Sequence, residues 1–95
     1  MLTIDSYPVH TEKTQGRLLE NEAVVVLPEQ GKIKVLNEVG ARIWSLADGQ
    51  RSVREIAAQI SAEYNIPAAD AETDALEFIG QMLVKGVLRL AGEIH

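Results

Sequence analysis

The 95-residue sequence contains no cysteine. Disulfides and thiolate metal sites are excluded, and the lack fits a reducing cytoplasm. The opening Met1-Leu2-Thr3-Ile4-Asp5 lacks a basic segment followed by an apolar run, so no secretory signal is expected. No stretch approaches the ~20 consecutive apolar residues of a membrane-spanning helix. Basic residues are scarce, with 9 Lys and Arg against 14 Asp and Glu and a net charge of -5. Nucleic acids and anionic membranes are both gripped through Lys and Arg, so the overall charge has the wrong sign for either partner.

Constellations that carry chemistry are equally sparse. His10 and His95 sit in the terminal segments, and neither has a second ligand at helical spacing. Zinc needs three or four ligands in fixed geometry, so both read as solvated imidazoles and no metal is expected. No glycine-rich loop joins a strand to a helix, which removes the phosphate cradle. No Ser or Thr has a base and orienting group in prospect. Asp70, Glu72, Asp74 and Glu77 fall in the first half of a predicted helix, where carboxylates suit the dipole, and they read as a solvated face. The sequence is therefore read as non-enzymatic and without a cofactor.

What is present is a core. Apolar residues make up 46% of the chain, enough for one globular domain and too many for a disordered segment. Residues 1–16 are poorly periodic and read as an extended N-terminal arm. Arg17-Leu18-Leu19-Glu20 predicts a short strand, and Asn21-Glu22 a polar break. Ala23-Val24-Val25-Val26-Leu27 is apolar throughout and β-branched at its centre, which suits a central strand over residues 23–28. Pro28-Glu29-Gln30-Gly31 is a turn signal, and Lys32-Ile33-Lys34-Val35-Leu36 alternates like a half-buried strand. The simplest arrangement is a three-stranded antiparallel meander with Lys32–Leu36 on an edge.

Three helices follow. Asn37 is placed to cap the first, with Val39, Ile43 and Leu46 at helical spacing beside Trp44, which reads as core. Asp48-Gly49 stops it, with Gly49 at positive φ. Ser52-Val53-Arg54-Glu55 is a capping box, and Val53, Ile56, Ala57 and Ile60 form the second helix's buried stripe. Asn65-Ile66-Pro67 breaks the pattern. The third helix spans residues 68–85 and ends at Gly86. Val87-Leu88-Arg89-Leu90 suits a closing strand, and residues 91–95 are expected to fray. Phe78, Ala71, Met82, Ala75, Ile79, Leu83 and Leu76 spread over nearly half the third helix's circumference. One core contact usually needs an apolar stripe of about 100°. The excess points to a second contact.

An edge strand beside such a helix makes a groove for an extended peptide. Lys32 and Lys34 suit two roles there: gatekeepers that stop strands from adding, or cations that attract an acidic peptide. The helix order also suits a winged-helix DNA-binding regulator, the competing reading. Its recognition helix would, however, present Asp70, Glu72, Asp74 and Glu77 to phosphates.

The run Lys34-Val35-Leu36-Asn37-Glu38-Val39-Gly40-Ala41-Arg42-Ile43-Trp44-Ser45-Leu46-Ala47-Asp48-Gly49-Gln50-Arg51-Ser52-Val53-Arg54-Glu55-Ile56 resembles the PqqD family, named for pyrroloquinoline quinone biosynthesis. Leu76-Glu77-Phe78-Ile79 and Leu83-Val84-Lys85-Gly86-Val87-Leu88 resemble its closing helix. The resemblance covers residues 17–90. It implies an α+β, winged-helix-like fold, with a three-stranded antiparallel sheet packed on three helices. It also implies the role of a RiPP recognition element, a cytoplasmic module that binds a precursor's leader peptide for modifying enzymes. The leader is then expected as an added strand along Lys32, Ile33, Lys34, Val35 and Leu36, against Asp74, Ala75, Phe78 and Met82. Gly40-Ala41-Arg42-Ile43-Trp44 is more similar to the stand-alone proteins of lasso-peptide clusters than to quinone-pathway members, where Ser-Ala and Leu are expected in parts of this stretch. The partner would be a separate leader peptidase, or otherwise a radical-SAM maturase.

Overall fold

The computed structural model describes residues 2–11, 15–18, 23–27 and 32–92. Five strands and three helices follow in order: β1 (Pro8–His10), β2 (Gln15–Leu18), β3 (Ala23–Leu27), β4 (Lys32–Leu36), α1 (Glu38–Leu46), α2 (Val53–Tyr64), α3 (Ala68–Val84) and β5 (Leu88–Leu90). The expected break at Asn21-Glu22 and the turn at Pro28-Glu29-Gln30-Gly31 lie outside the described residues, as does His95.

Local chemistry sets the helix boundaries. Asn37 is the N-cap of α1, and its side chain accepts from Gly40 N at 2.8 Å. Ser52 and Glu55 form both halves of the capping box at the start of α2. Asn65 ends α2 in the left-handed conformation, with φ 55° and ψ 45°. Gly49 has φ +79° between α1 and α2, and a Cβ there would stand 3.3 Å from the Val9 side chain. Glycine is therefore required twice at that turn, by conformation and by space.

β2, β3 and β4 pair antiparallel in that spatial order. The first of them, expected over residues 17–20, is described over Gln15–Leu18; Leu19 and Glu20 lie outside the described residues. Its register, Gln15↔Val26 to Leu18↔Ala23, carries it along β3 and draws Gly16 into the strand. Val25 is fully buried at the centre of β3.

A second, two-stranded sheet contains the expected closing strand as β5 and a partner, β1, that was not expected. β1 pairs antiparallel with β5, from Pro8↔Leu90 to His10↔Leu88. Among its described residues the N-terminal segment turns at Thr3–Ser6, where Ser6 N donates to Thr3 O at 3.1 Å, and it is tied along its length. Ser6 and Ile4 carbonyls accept from Val53 N and Arg54 N at 2.9 and 2.8 Å, completing the N-terminus of α2 beyond its capping box. Pro8 O accepts from Gly49 N, and Tyr7 O from Ala91 N. That last bond holds the first residue of the tail expected to fray.

The solvated reading of His10 is also corrected. Its ring stacks on Trp44 with centroids 3.9 Å apart, and Nε2 lies 2.7 Å from Trp44 O. A carbonyl only accepts, so Nε2 carries the proton. Stacking buries apolar ring surface that a lone solvated imidazole would leave in water.

The core contains the residues that helical spacing selects. Ile43, Leu46, Ile56 and Ile60 are all buried, as is Trp44. On α3, Ala71, Ala75, Ile79 and Met82 face this core, with Leu76, Leu83 and Phe78 packed at its margins.

Candidate functional site

The site begins where β4 runs into α1. Leu36 is buried and Asn37 caps the helix, so the edge strand is anchored at the point where α1 turns away. Val35, one residue back, leaves 58% of its surface exposed. The described residues place no strand on the far side of β4, whose backbone edge is available for pairing.

Alongside lies a groove of about 400 Å³ between α1 and α3. Asn37, Val39, Gly40 and Ile43 line it from α1. Asp74, Glu77, Phe78 and Gln81 line it from α3, and Ile66 closes it from the loop between α2 and α3. Gly40 sets the approach of its walls: a Cβ there would lie 3.1 Å from Phe78 Cε1. The absent side chain lets the phenyl ring sit over the first turn of α1.

The structure divides the site residues read from the sequence. Lys32, Ile33, Lys34, Val35 and Leu36 form β4; the description of its side chains begins at Val35. Asp74 and Phe78 line the groove. Ala75 and Met82 do not. Both are 0% exposed and belong to the core, so the expectation that they meet a peptide is corrected. An apolar arc nearly half a turn wide does not say which of its edges faces solvent. Here the edge at Phe78 does, whereas Ala75 and Met82 lie inward.

Asn37, Val39, Gly40, Ile43, Ile66, Glu77 and Gln81 were not among the expected groove residues. Gly40 carried a usable signal. Glycine inside a helix costs about 1 kcal/mol relative to alanine, so its presence there points to a close approach. Ile43 was read as core and serves both as core and as groove wall.

Charge around the groove is one-sided. Among the described residues, Asp74 and Glu77 line it and no Lys or Arg does. Arg42 of α1 is held by Glu63 of α2 instead, through two bonds of 2.9 Å from Nε and Nη2. Together with a bond from Gln59, this holds the Glu63 carboxyl down at about 2. Among the described residues no three His, Asp or Glu side chains come together as a metal site.

Residues 22–88 match the family described as coenzyme PQQ synthesis protein D (PqqD). The chain belongs to the PqqD family. A PqqA binding protein of Xanthomonas oryzae pv. oryzae (strain KACC10331 / KXO85) is 31% identical over 91 residues, covering 94% of this chain and 97% of that protein. A second from strain PXO99A is 34% identical over 67 residues, or 70% of this chain and 71% of that protein. Two solved structures share the PqqD-family fold seen here. TbiB1 in complex with the TbiA(beta) leader peptide aligns with a TM-score of 0.76 and 26% identity, over 92% of this chain and 99% of that one. The PqqD truncation of Methylobacterium extorquens PqqCD, a stand-alone RiPP recognition element, aligns with a TM-score of 0.76 and 24% identity, over 94% and 95%.

Proposed function

We propose that this protein binds the leader segment of a ribosomally made precursor peptide and presents it to a modifying enzyme. The leader adds as a strand to β4 and sets an apolar side chain into the groove beside Phe78. The observation that carries this reading is continuity. The free edge of β4 leads directly to Asn37, which is itself a groove residue. An extended peptide on that edge gains main-chain bonds from the strand and a pocket for alternate side chains. The leader-bound TbiB1 and the curated relatives named for binding PqqA support the same reading.

Within the family, the lasso-peptide branch is favoured over the quinone branch. The stretch that separates them, Gly40-Ala41-Arg42-Ile43-Trp44, includes Gly40, where a Ser side chain would press on Phe78. The partner enzyme is then a leader peptidase, and the protein itself leaves the mass of its precursor unchanged. The winged-helix regulator is the weaker reading. Asp70, Asp74 and Glu77 are exposed on α3, where a recognition helix needs cations.

The test is calorimetric titration with a synthetic leader from a precursor gene adjacent to this one. Binding near -8 kcal/mol or stronger is expected, roughly micromolar or tighter. Phe78→Asp, confirmed folded by circular dichroism, should abolish it. Amide shifts on peptide addition should include residues 32–36. A folded Phe78→Asp protein that binds as wild type does, with those amides unmoved, would place the leader elsewhere.

A further inference from the structure

The groove's walls and rim differ in chemistry. Val39, Ile43, Ile66 and Phe78 make it apolar, while Asp74 and Glu77 put two carboxylates on its α3 side. Three ordinary explanations for those carboxylates fail. The helix dipole favours acids within the first turn, and both residues lie more than a turn beyond the start of α3 at Ala68. The ion pairs among the described residues join Arg42 to Glu63, Arg51 to Asp48 and Arg54 to Asp5, so neither carboxylate is used there. Nor are they merely part of a face remote from the site, because both line the groove beside its central aromatic.

We infer that, granted the peptide-binding reading above, Asp74 and Glu77 select leaders carrying a Lys or Arg two residues from the apolar side chain seated at Phe78. The spacing follows from the two backbones. Alternate side chains of a strand share a face and lie about 6.6 Å apart. Asp74 and Phe78, four residues apart on one helix face, are separated by about 6 Å along the axis. A strand lying along α3 with its apolar residue at Phe78 therefore brings its next same-side residue to Asp74, with Glu77 lining the groove at a level between the two. Lys and Arg suit that place twice over: their stems lie on the apolar wall while the charged end reaches the rim. Main-chain pairing with β4 is indifferent to side chains. Preference for one leader over another is set by the apolar wall and these two residues.

A display library of random twelve-residue peptides tests this, panned in parallel on the wild type and on the Asp74→Lys/Glu77→Lys protein. The wild type should enrich Lys or Arg two residues from an apolar anchor, and the charge-reversed protein Asp or Glu at that place. A synthetic peptide from the wild-type pool, with its cation changed to Glu, should bind the wild type at least about fivefold more weakly and the reversed protein more tightly. If the reversed protein does not fold, Asp74→Asn/Glu77→Gln preserves size and should lose the cation bias. Enriched anchors without a charge bias, or the same bias on every variant, would overturn the selectivity and leave peptide binding standing. A library that yields no enriched peptide on the wild type would overturn the peptide-binding reading and this inference together.

Discussion

Replacing Gly40 by alanine adds one methyl group between α1 and α3. The new Cβ would stand 3.1 Å from Phe78 Cε1 and 3.1 Å from Asn37 Oδ1. Both contacts are tighter than ordinary packing, so each neighbour must move slightly. Neither is backbone. Phe78 is only partly buried and borders the groove, so its ring has room to swing outward. Asn37 Oδ1 accepts from Gly40 N at 2.8 Å, and displacing it weakens a cap worth about 1 kcal/mol. Against this, alanine is favoured over glycine in a helix by up to about 1 kcal/mol. The two effects oppose each other, and unfolding free energy should stay within about 1 kcal/mol of wild type. Affinity for a leader should fall all the same, because the displaced ring occupies groove volume. The chain has one Trp and one Phe, so the assays are clean: urea unfolding followed by Trp44 fluorescence, and the aromatic resonances of Phe78. A loss above about 3 kcal/mol would show that the ring cannot yield, at a scale expected for overpacking a rigid site. Unshifted Phe78 resonances would show that the contact is not there. Either result refutes the reasoning.

Leu46→Ala should destabilise by about 2–5 kcal/mol, since Leu46 is 4% exposed within the core; a urea-measured loss below about 1 kcal/mol would contradict that packing. His10→Ala removes the stack on Trp44 and the Nε2 bond to its carbonyl, and should cost about 2 kcal/mol with a shift in Trp44 emission. The Glu63 carboxyl is depressed from 4.5 to about 2, first by its hydrogen bond from Arg42 and next by that from Gln59. A depressed pKa contributes stability above the unfolded value and loses it as pH falls through the folded one. Wild type should therefore exceed Glu63→Gln in stability above pH 4.5, with the difference fading towards pH 2. An NMR titration of Glu63 with an ordinary midpoint would contradict the assignment.

What was legible in the sequence was mostly local. The Asn37 cap, the Ser52–Glu55 box and the positive φ of Gly49 each depend on a few neighbouring residues. The stripe through Ile43, Leu46, Ile56 and Ile60 depends only on helical period. What was not legible is set by partners far along the chain. Pro8-Val9-His10 carries no strand pattern of its own, and becomes β1 because Leu88–Leu90 lies beside it. The wide arc of α3 shows the same limit. Its excess apolar surface was read as one outward contact, but Leu76 and Leu83 pack at the core margin, and Leu2 lies against Gly80. Part of the second contact is intramolecular. The flank at Phe78 borders the groove, whereas Ala75 and Met82 face the core.

The same arrangement explains how so small a domain keeps a groove open. Closing it would bury Val39, Ile66 and Phe78 further, so apolar burial alone favours collapse. The opposing constraints are backbone ones. Asn65 in the left-handed conformation turns the chain after α2, and Pro67 stands at the N-cap of α3, so Ile66 is fixed at the groove's end. Gly40 already brings α1 and α3 as near as Phe78 allows. The N-terminal segment ties α2, the turn at Gly49 and Ala91 together through bonds accepted by the carbonyls of Ile4, Ser6, Pro8 and Tyr7, and none of residues 2–11 lines the groove. Much of the cohesion is thus supplied away from the groove, with Ile43 and Asn37 shared between the two. A strand can add to β4 without breaking a bond that holds the helices together.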